Sequence, residues 1–265
     1  MDRESYPSDL SDAQWKVIEA MMAAERKTRR GRPRQYELRE IWNAIFYQSR
    51  TGCQWRYLPH DLPPWEDVWE HFCRWRDSGL IERVHDALRG RLREKAGKEQ
   101  SPSAAILDSQ SVKTTQKPGA ACGYDAGKKI KGRKRHIVVD TLGLLLVVVV
   151  HSAAVQDRDG AKLVLNELAR KQFSRLQLMW ADSGYAGKLI AWVHAFAGWT
   201  LEIVRRSDHL KGFHVLPRRW IVERTFGWLV RFRRMTRDYE ETTKSSEAWI
   251  RLSMIHLMTR RLAPA

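Results

Sequence analysis

Three acidic residues, Asp108, Asp182 and Glu223, are the ones whose types and spacing could do chemistry. Carboxylates that meet in space repel one another unless cations lie between them, and a ligand set made only of oxygen atoms favours Mg²⁺ or Mn²⁺. Two such ions activate a water or a 3′-hydroxyl as nucleophile and stabilise the leaving oxygen of a phosphoryl displacement. Taken singly, each acid is more simply explained as structural, since an aspartate at the end of a strand often starts a turn. The hypothesis therefore depends on whether the fold brings the three acids together.

Glu223 lies in a segment, 217–234, whose sequence predicts a helix. Residues spaced by three or four positions share one face of a helix, and the face of Glu223 also carries Trp220 and Phe226. The glutamate is therefore predicted in the stripe that turns toward the core, where a bare carboxylate is costly unless a cation or a metal ion compensates it. For this helix alone, an ion pair with Arg219, one turn earlier, is the simpler explanation.

The elements that would position these acids follow from the pattern of residues 104–265. Apolar segments bounded by turn residues predict three consecutive strands, then a helix, a strand, a helix, a strand and a helix. Three consecutive strands form an antiparallel meander, and strands that are reached through a helix join as parallel neighbours. This α/β order is that of ribonuclease H, a mixed sheet with flanking helices, and it places Asp108 and Asp182 at the ends of neighbouring strands. Three other acids are interpreted as turn-forming or helix-capping: Asp140, Asp157 and Asp159.

The chain changes character at residues 96–103, a polar stretch with Gly and Pro that predicts a domain boundary. Before it, residues 1–97 predict a small all-α domain of short helices. Such helices are compatible with a helix-turn-helix DNA-binding module, although an ordinary helical bundle has the same pattern. After it, residues 104–265 predict the ribonuclease H-like catalytic domain.

The composition indicates a polyanionic partner. The 265 residues contain 47 Lys and Arg against 31 Asp and Glu, a formal net charge of +16, and nucleic acid is the simplest partner for such a charge. Cys53, Cys73 and Cys122 lack metal-ligand spacing, which favours free thiols in a reducing compartment. The first residues do not resemble a signal peptide, and the longest apolar run, 142–150, is too short for a membrane span. We therefore expect a cytoplasmic protein.

Two clusters of cations are candidate DNA contacts. Residues 29–35 contain a Gly-Arg-Pro core that resembles an AT-hook and could enter a minor groove, although a basic linker explains it equally well. Residues 114–132 are rich in Gly and Lys and predict a mobile loop. The basic stretch 128–136 begins in this loop, beside the acids, where contact with the DNA backbone is favoured over a merely solvated loop. The candidate DNA-binding residues in these clusters are Arg30, Arg32, Arg34, Lys128, Lys129, Lys131, Arg133, Lys134 and Arg135.

Six motifs together carry a resemblance to one family. They are TGCQWRYLP at 51–59, LDSQSVKTT at 107–115, GYDAGKKIKGRKRHIVVDTLG at 123–143, VQDRDGA at 155–161, ADSGYAG at 181–187 and RRWIVERTFGWLVRFRR at 218–234. Over nearly its whole length the chain resembles the DDE transposases of bacterial insertion sequences, closest to the insertion-sequence-five family. The resemblance implies the catalytic triad Asp108, Asp182 and Glu223, a divalent metal ion that is normally Mg²⁺, and an N-terminal domain that helps to bind the ends of the element.

The chain departs from the pattern of related families near the glutamate. Those families place a Tyr and an Arg before it and a Lys seven residues after it. Arg219 fits the Arg position, but Leu216 and Val230 stand at the Tyr and Lys positions. Arg231 or Arg233 is then the candidate for the phosphate contact, and Arg219 and Arg231 join the predicted DNA-binding residues.

The expected function is DNA transposition. By resemblance, the protein would bind the terminal inverted repeats of its element, hydrolyse a phosphodiester at each end and join the freed 3′-ends to target DNA, as a homodimer or a higher multimer. One alternative is a metal-dependent nuclease on the same fold that performs no strand transfer. The other is a non-catalytic DNA-binding descendant of a transposase, against which the presence of all three acids argues.

Overall fold

The computed structural model describes residues 3–22, 35–116, 119, 121–204 and 218–264. The helices in these ranges are α1 (Asp12–Glu19), α2 (Leu38–Thr51), α3 (Trp65–Asp77), α4 (Leu80–Lys95), α5 (Asp157–Arg170), α6 (Lys188–Ala197), α7 (Trp220–Leu229) and α8 (Thr243–Leu262). The strands are β1 (Ala104–Lys113), β2 (Gly123–Asp125), β3 (Ile130–Asp140), β4 (Leu145–Ser152), β5 (Leu178–Ala181) and β6 (Thr200–Ile203).

The N-terminal helices begin and end where local chemistry predicts. Ser11 caps α1, because its hydroxyl accepts from the backbone N–H of Gln14 while the Gln14 side chain accepts from the N–H of Ser11. Gly52 ends α2 and Gly79 separates α3 from α4, both with φ of 72°, a left-handed conformation that favours glycine. The helices that the sequence predicts over this segment are therefore present.

The strands form one mixed sheet with the order β2-β3-β1-β5-β6. β4 also pairs with β3, on the edge that faces away from β1 and that β2 shares. β1, β3 and β4 are antiparallel neighbours, whereas β1, β5 and β6 are parallel. An antiparallel meander followed by parallel crossovers is the arrangement that the sequence predicts. The mixed sheet is compatible with a ribonuclease H-like core.

The segment after β1 differs from the mobile loop that the sequence predicts over 114–132. β1 runs to Lys113, β2 forms within the segment, and β3 already begins at Ile130. Gly132 permits the close pairing, since a Cβ at this position would lie 1.9 Å from the carbonyl oxygen of Val112. A composition rich in Gly and Lys favours a loop, but here the backbone pairing with β1 outweighs it.

Side chains cover the sheet on both faces. In β4, Val148 belongs to one core and Val147 to the other, as the two-residue period of a strand requires. One core contains α5 and α6, and the larger one joins the sheet to α1–α4, α7 and α8. The larger core continues across the predicted domain boundary, and the division into 1–97 and 104–265 stays a prediction.

Helix α8 lies at the centre of the larger core. Its Trp249 stacks on Phe72 of α3 with 4.9 Å between ring centroids, and its His256 stacks on Phe46 of α2 at 4.4 Å. It also packs against α4 and β4. α8 therefore joins the N-terminal helices to the sheet. Among the helices of the described ranges, none has both the length and the apolar content to cross a bilayer.

Candidate active site

Two aspartates lie at the same level on neighbouring strands. β1 and β5 are parallel, with Ile106 opposite Trp180. Asp108 and Asp182 each follow that pair by two residues, and the two-residue period of a strand places both on the same side of the sheet. Asp108 lies in the middle of β1 rather than at its end, because β1 continues beyond it to Lys113. The structure thus brings together the two aspartates that the strand order predicts as neighbours.

A tight turn fixes the carboxylate of Asp182. Its Oδ1 accepts from the backbone N–H of Gly184 at 2.8 Å, and the N–H of Tyr185 donates to the carbonyl of Asp182 at 3.1 Å. A Cβ at position 184 would lie 2.9 Å from the same Oδ1, so a larger residue would displace this carboxylate. The turn therefore uses one carboxylate oxygen of Asp182 and leaves the other, Oδ2, directed to the helix of the third acid.

Helix α7 turns a different face to the core than the sequence predicts. It buries Ile221 and Leu229, and its Thr225 donates to the carbonyl of Gly143 at 2.8 Å, which holds that face against the sheet. The side chain of Glu223 is 50% exposed. The prediction that Glu223 lies in the core stripe is wrong, because the buried Ile221, Thr225 and Leu229 lie about 120–160° away from it around the helix.

Arg219 lies between the second and third acids. Its Nη2 is 3.6 Å from Oδ2 of Asp182 and 3.5 Å from Oε1 of Glu223. The ion pair between Arg219 and Glu223 that the helix spacing predicts is confirmed. A single nitrogen atom serves both acids, so a cation joins two carboxylates that arise from different elements.

The carboxyl group of Asp108 has a raised pKa. Burial raises the pKa of its carboxyl to about 6, and the negative charge of Asp182 adds to this effect. The N–H of Ser109, which donates to Oδ1 at 2.7 Å, acts in the opposite direction, as do Arg219 and Lys128. Positive charge beside Asp108 would stabilise its ionised form and bring its pKa back toward the ordinary value.

The donor set fits a divalent cation in its chemistry. Asp108, Asp182 and Glu223 offer only oxygen atoms, which suits Mg²⁺ or Mn²⁺, and a cation bound there would stabilise the ionised form of the Asp108 carboxyl, whose pKa is raised by burial. As the side chains stand, no three acidic, His or Cys residues of the described part form a group that could hold a metal ion. Arg219 instead lies between two of the acids.

A fourth carboxylate lies beside the triad. Asp157, interpreted from sequence as a helix cap, is the first residue of α5, and the cap position is Gln156. Oδ1 of Asp157 accepts from the hydroxyl of Ser109 and from Nζ of Lys134, both at 2.8 Å. The capping interpretation is therefore wrong for Asp157 and for Asp159, which also lies within the first turn. The VQDRDGA motif was the available signal for a site role.

A buried chain of hydrogen bonds runs from the turn of Asp182 to β4. His151 Nδ1 donates to the carbonyl of Ser152 at 2.9 Å, and this carbonyl can only accept. His136 Nδ1 therefore donates to His151 Nε2 at 3.0 Å, and the hydroxyl of Tyr185 donates to His136 Nε2 at 2.7 Å. Burial lowers the pKa of His136 to about 3, which keeps the ring neutral. Sequence patterns missed this chain, since its members come from separate elements.

The exposed start of the basic segment contributes a cation to the site. Lys128, Lys129 and Lys131 are exposed, and Nζ of Lys128 donates to the carbonyl of Ser109 at 3.1 Å. Lys128 thus reaches the residue that follows Asp108. Contact of these three lysines with DNA stays a prediction.

The structure corrects the prediction for three other cations. Arg133, Lys134 and Arg135 lie within β3 and are buried. Arg133 pairs with Asp238 at 3.1 Å, and Arg135 donates to the carbonyl of Met235 at 2.7 Å. Lys134 faces the opposite side of the sheet and belongs to the network beside the triad. Because all three have partners in their own chain, they are not available to a DNA phosphate.

The other predicted DNA contacts lie outside the basic stretch 128–136. Arg231 lies in the turn two residues after the end of α7, and its carbonyl accepts from Arg50 at 3.3 Å. A phosphate contact by Arg231 stays a prediction, as does one by Arg219. The predicted contacts of the first basic cluster lie outside the described residues: Arg30, Arg32 and Arg34.

Comparisons with known proteins agree with this geometry. A family model described as "Transposase DDE domain" matches residues 99–258, which include all three acids of the triad. A second model, described as "Putative transposase of IS4/5 family", matches residues 10–85. The first model spans all six strands of the sheet, and the second spans α1 to α3 and the start of α4.

Two relatives match parts of the chain. The "Insertion element IS402 uncharacterized 16.2 kDa protein" of Burkholderia cepacia is 27% identical over 108 residues, which are 39% of this chain and 72% of the relative. The "Uncharacterized protein y4sN" of Sinorhizobium fredii (strain NBRC 101917 / NGR234) is 31% identical over 75 residues, which are 28% of this chain and 58% of the relative. No solved structure matches the chain significantly.

Proposed function

The chain belongs to the DDE transposases of IS4/5 type, and on that premise we propose that it binds the terminal inverted repeats of its insertion sequence, cuts one strand at each end and joins the freed 3′-ends to target DNA. One observation carries the proposal. Asp108 and Asp182 follow the same register pair of two parallel strands, and Arg219 links Asp182 to Glu223.

The residues of the site have separate tasks in this reaction. Asp108, Asp182 and Glu223 would hold Mg²⁺, for which Mn²⁺ would substitute, and the ion would supply Lewis-acid activation of the attacking water or 3′-hydroxyl and charge neutralisation at the leaving oxygen. Tyr185 and Gly184 fix the turn that orients Asp182. Lys128, which bonds to the carbonyl beside Asp108, binds the phosphate next to the scissile bond.

The remaining DNA contacts fall to more distant parts of the chain. Lys129 and Lys131 extend the contact along the backbone of the DNA, and the N-terminal helices bind the terminal repeat. Arg30, Arg32 and Arg34 support that binding. Because two ends must be paired before they are joined, the active form is a homodimer or a higher multimer, which acts on DNA in the cytoplasm.

The proposal is tested by cleavage of a labelled duplex that carries an end of the element, in the presence of Mg²⁺. We expect Asp108→Asn, Asp182→Asn and Glu223→Gln each to reduce nicking at the junction at least about 100-fold, with DNA binding retained. The matched control is Asp159→Asn, which removes an exposed acid of α5 and leaves cleavage unchanged.

Equal cutting by wild type and the three triad variants would contradict the assignment of the triad. Pre-cleaved ends then test the second step. Joining of these ends to a target plasmid supports transposition, whereas cutting without any joining would mark the protein as a metal-dependent nuclease.

A further inference from the structure

We propose that Arg219 is a resident cation of the active site, which occupies the place between Asp182 and Glu223 and must move aside before a divalent ion can bind these two acids. The inference rests on the proposed function and adds a property to it. Metal binding and DNA binding become coupled through one side chain.

The position of Arg219 supports this role. Its Nη2 is 3.6 Å from Asp182 and 3.5 Å from Glu223, distances that give electrostatic attraction without the short, paired hydrogen bonds of a locked arginine–carboxylate contact. The guanidinium therefore compensates both acids and can still leave. Within the described residues, its Nε is buried and has no hydrogen-bond partner, so the present position satisfies the group only in part.

The backbone before α7 holds Arg219 at this point. Arg218 has a φ of 72°, a left-handed conformation, and its guanidinium lies over the ring of Trp180 at 4.5 Å. Trp180 belongs to β5, two residues before Asp182. The stacking of Arg218 thus ties the start of α7 to the strand that leads to Asp182, which brings the next residue, Arg219, to the carboxylate.

Arg219 and a divalent ion compete for the same carboxylates because both are cations. The ionised carboxylates carry negative charge, and Arg219 pairs with two of them. A divalent ion that binds the oxygens of Asp182 and Glu223 would lie beside the guanidinium, and two cations repel each other at that separation. Arg219 must therefore leave when the metal ion enters.

A DNA phosphate supplies the place to which Arg219 moves. A phosphodiester beside the triad is an anion that a guanidinium binds well, and it draws Arg219 away from the carboxylates. DNA then favours metal binding, and by linkage the metal ion favours DNA binding by the same factor. In the absence of DNA, the protein binds metal weakly, which limits hydrolysis away from the ends of the element.

The test measures Mn²⁺ binding to the full chain by electron paramagnetic resonance of free Mn²⁺, with and without a short duplex of the pre-cleaved element end. Without DNA, we expect Arg219→Gln to bind Mn²⁺ about tenfold more tightly than wild type. Addition of the duplex tightens binding by wild type but not by Arg219→Gln. Arg219→Lys, which keeps a cation, binds as weakly as wild type.

Arg224→Gln is the matched control. It removes the same charge five residues later, within α7, but its guanidinium lies over the rings of Trp220 and Trp228 at 4.4 and 4.7 Å rather than beside an acid of the triad. A general effect of net charge would tighten Mn²⁺ binding equally in both Gln variants and would overturn the inference.

Asp182→Asn separates failure of the inference from failure of the proposed function. If this variant binds Mn²⁺ as wild type does, Asp182 is not a ligand and the site itself fails. If it binds more weakly while Arg219→Gln shows unchanged or weaker binding, the triad stands and the role of Arg219 as a competing cation is overturned.

Discussion

The basic segment of residues 128–135 divides into two halves with opposite environments. Its first half presents lysines to solvent, and its second half buries Arg133, Lys134 and Arg135 inside β3. The composition of the two halves is nearly the same, yet one is available to a polyanion and the other joins parts of the protein interior. The difference teaches that the coverage of β3 from Arg133 onward, where β4 pairs with it, rather than charge density, decides which cations stay exposed.

The largest effect should come from the buried half. Arg133→Met leaves Asp238 buried without its guanidinium partner, and breaking a buried ion pair from one side costs about 3–5 kcal/mol in the free energy of unfolding. Urea unfolding followed by circular dichroism measures the change. Lys131→Met, two residues earlier and exposed, should change the free energy of unfolding by no more than about 0.5 kcal/mol. Similar losses in the two variants would erase the distinction between the halves.

A second prediction concerns acid. His136 follows Arg135 in β3, and burial lowers the pKa of its ring from the ordinary 6.5 to about 3. The folded state therefore favours the neutral ring. Its contribution to stability is complete above pH 6.5 and is lost as the pH falls from 6.5 toward 3. At pH 5 the loss is about 2 kcal/mol for this group alone.

Unfolding measured from pH 7 to pH 4 checks the acid dependence. His136→Gln should show a smaller fall in stability over this range than wild type. The control is His194→Gln, which replaces an exposed histidine of α6 and should follow wild type. A pH dependence that is unchanged in His136→Gln would contradict a buried neutral ring.

The smallest effect on folding should come from the double variant Lys129→Gln and Lys131→Gln. This variant tests whether the exposed half binds DNA. We expect unfolding within about 0.5 kcal/mol of wild type. The slope of log affinity for duplex DNA against log salt concentration should fall by about 1 for each lysine. Fluorescence anisotropy over a series of salt concentrations measures this slope. An unchanged slope would show that Lys129 and Lys131 do not contact the phosphate backbone.

The sequence predicts the order of the elements well, because apolar periodicity and turn residues are local properties. Strand order in turn leads to Asp108 and Asp182, since parallel neighbours follow from topology. The face of α7 that carries Glu223 was misjudged, because the sequence alone does not reveal that Thr225 would bond to Gly143 on a distant turn.

Partners distant in sequence explain the other errors. Arg133 is buried because Asp238, 105 residues later, compensates its charge. Asp157 joins the site because Ser109, 48 residues earlier, donates to it. Rules for charge clusters and helix starts use only residues that are close in sequence. They cannot predict these pairs, because the partners meet only when the sheet has formed.

The central place of α8 has a consequence for synthesis. The ribosome makes α2 and α3 long before α8, so the faces of Phe46 and Phe72 that later meet His256 and Trp249 remain exposed while the sheet is translated. The larger core closes only when this late helix leaves the ribosome. A nascent chain that stops before Thr243 would keep its first helices without their covering, so truncated products should be substrates for chaperones and proteases rather than partial competitors for DNA.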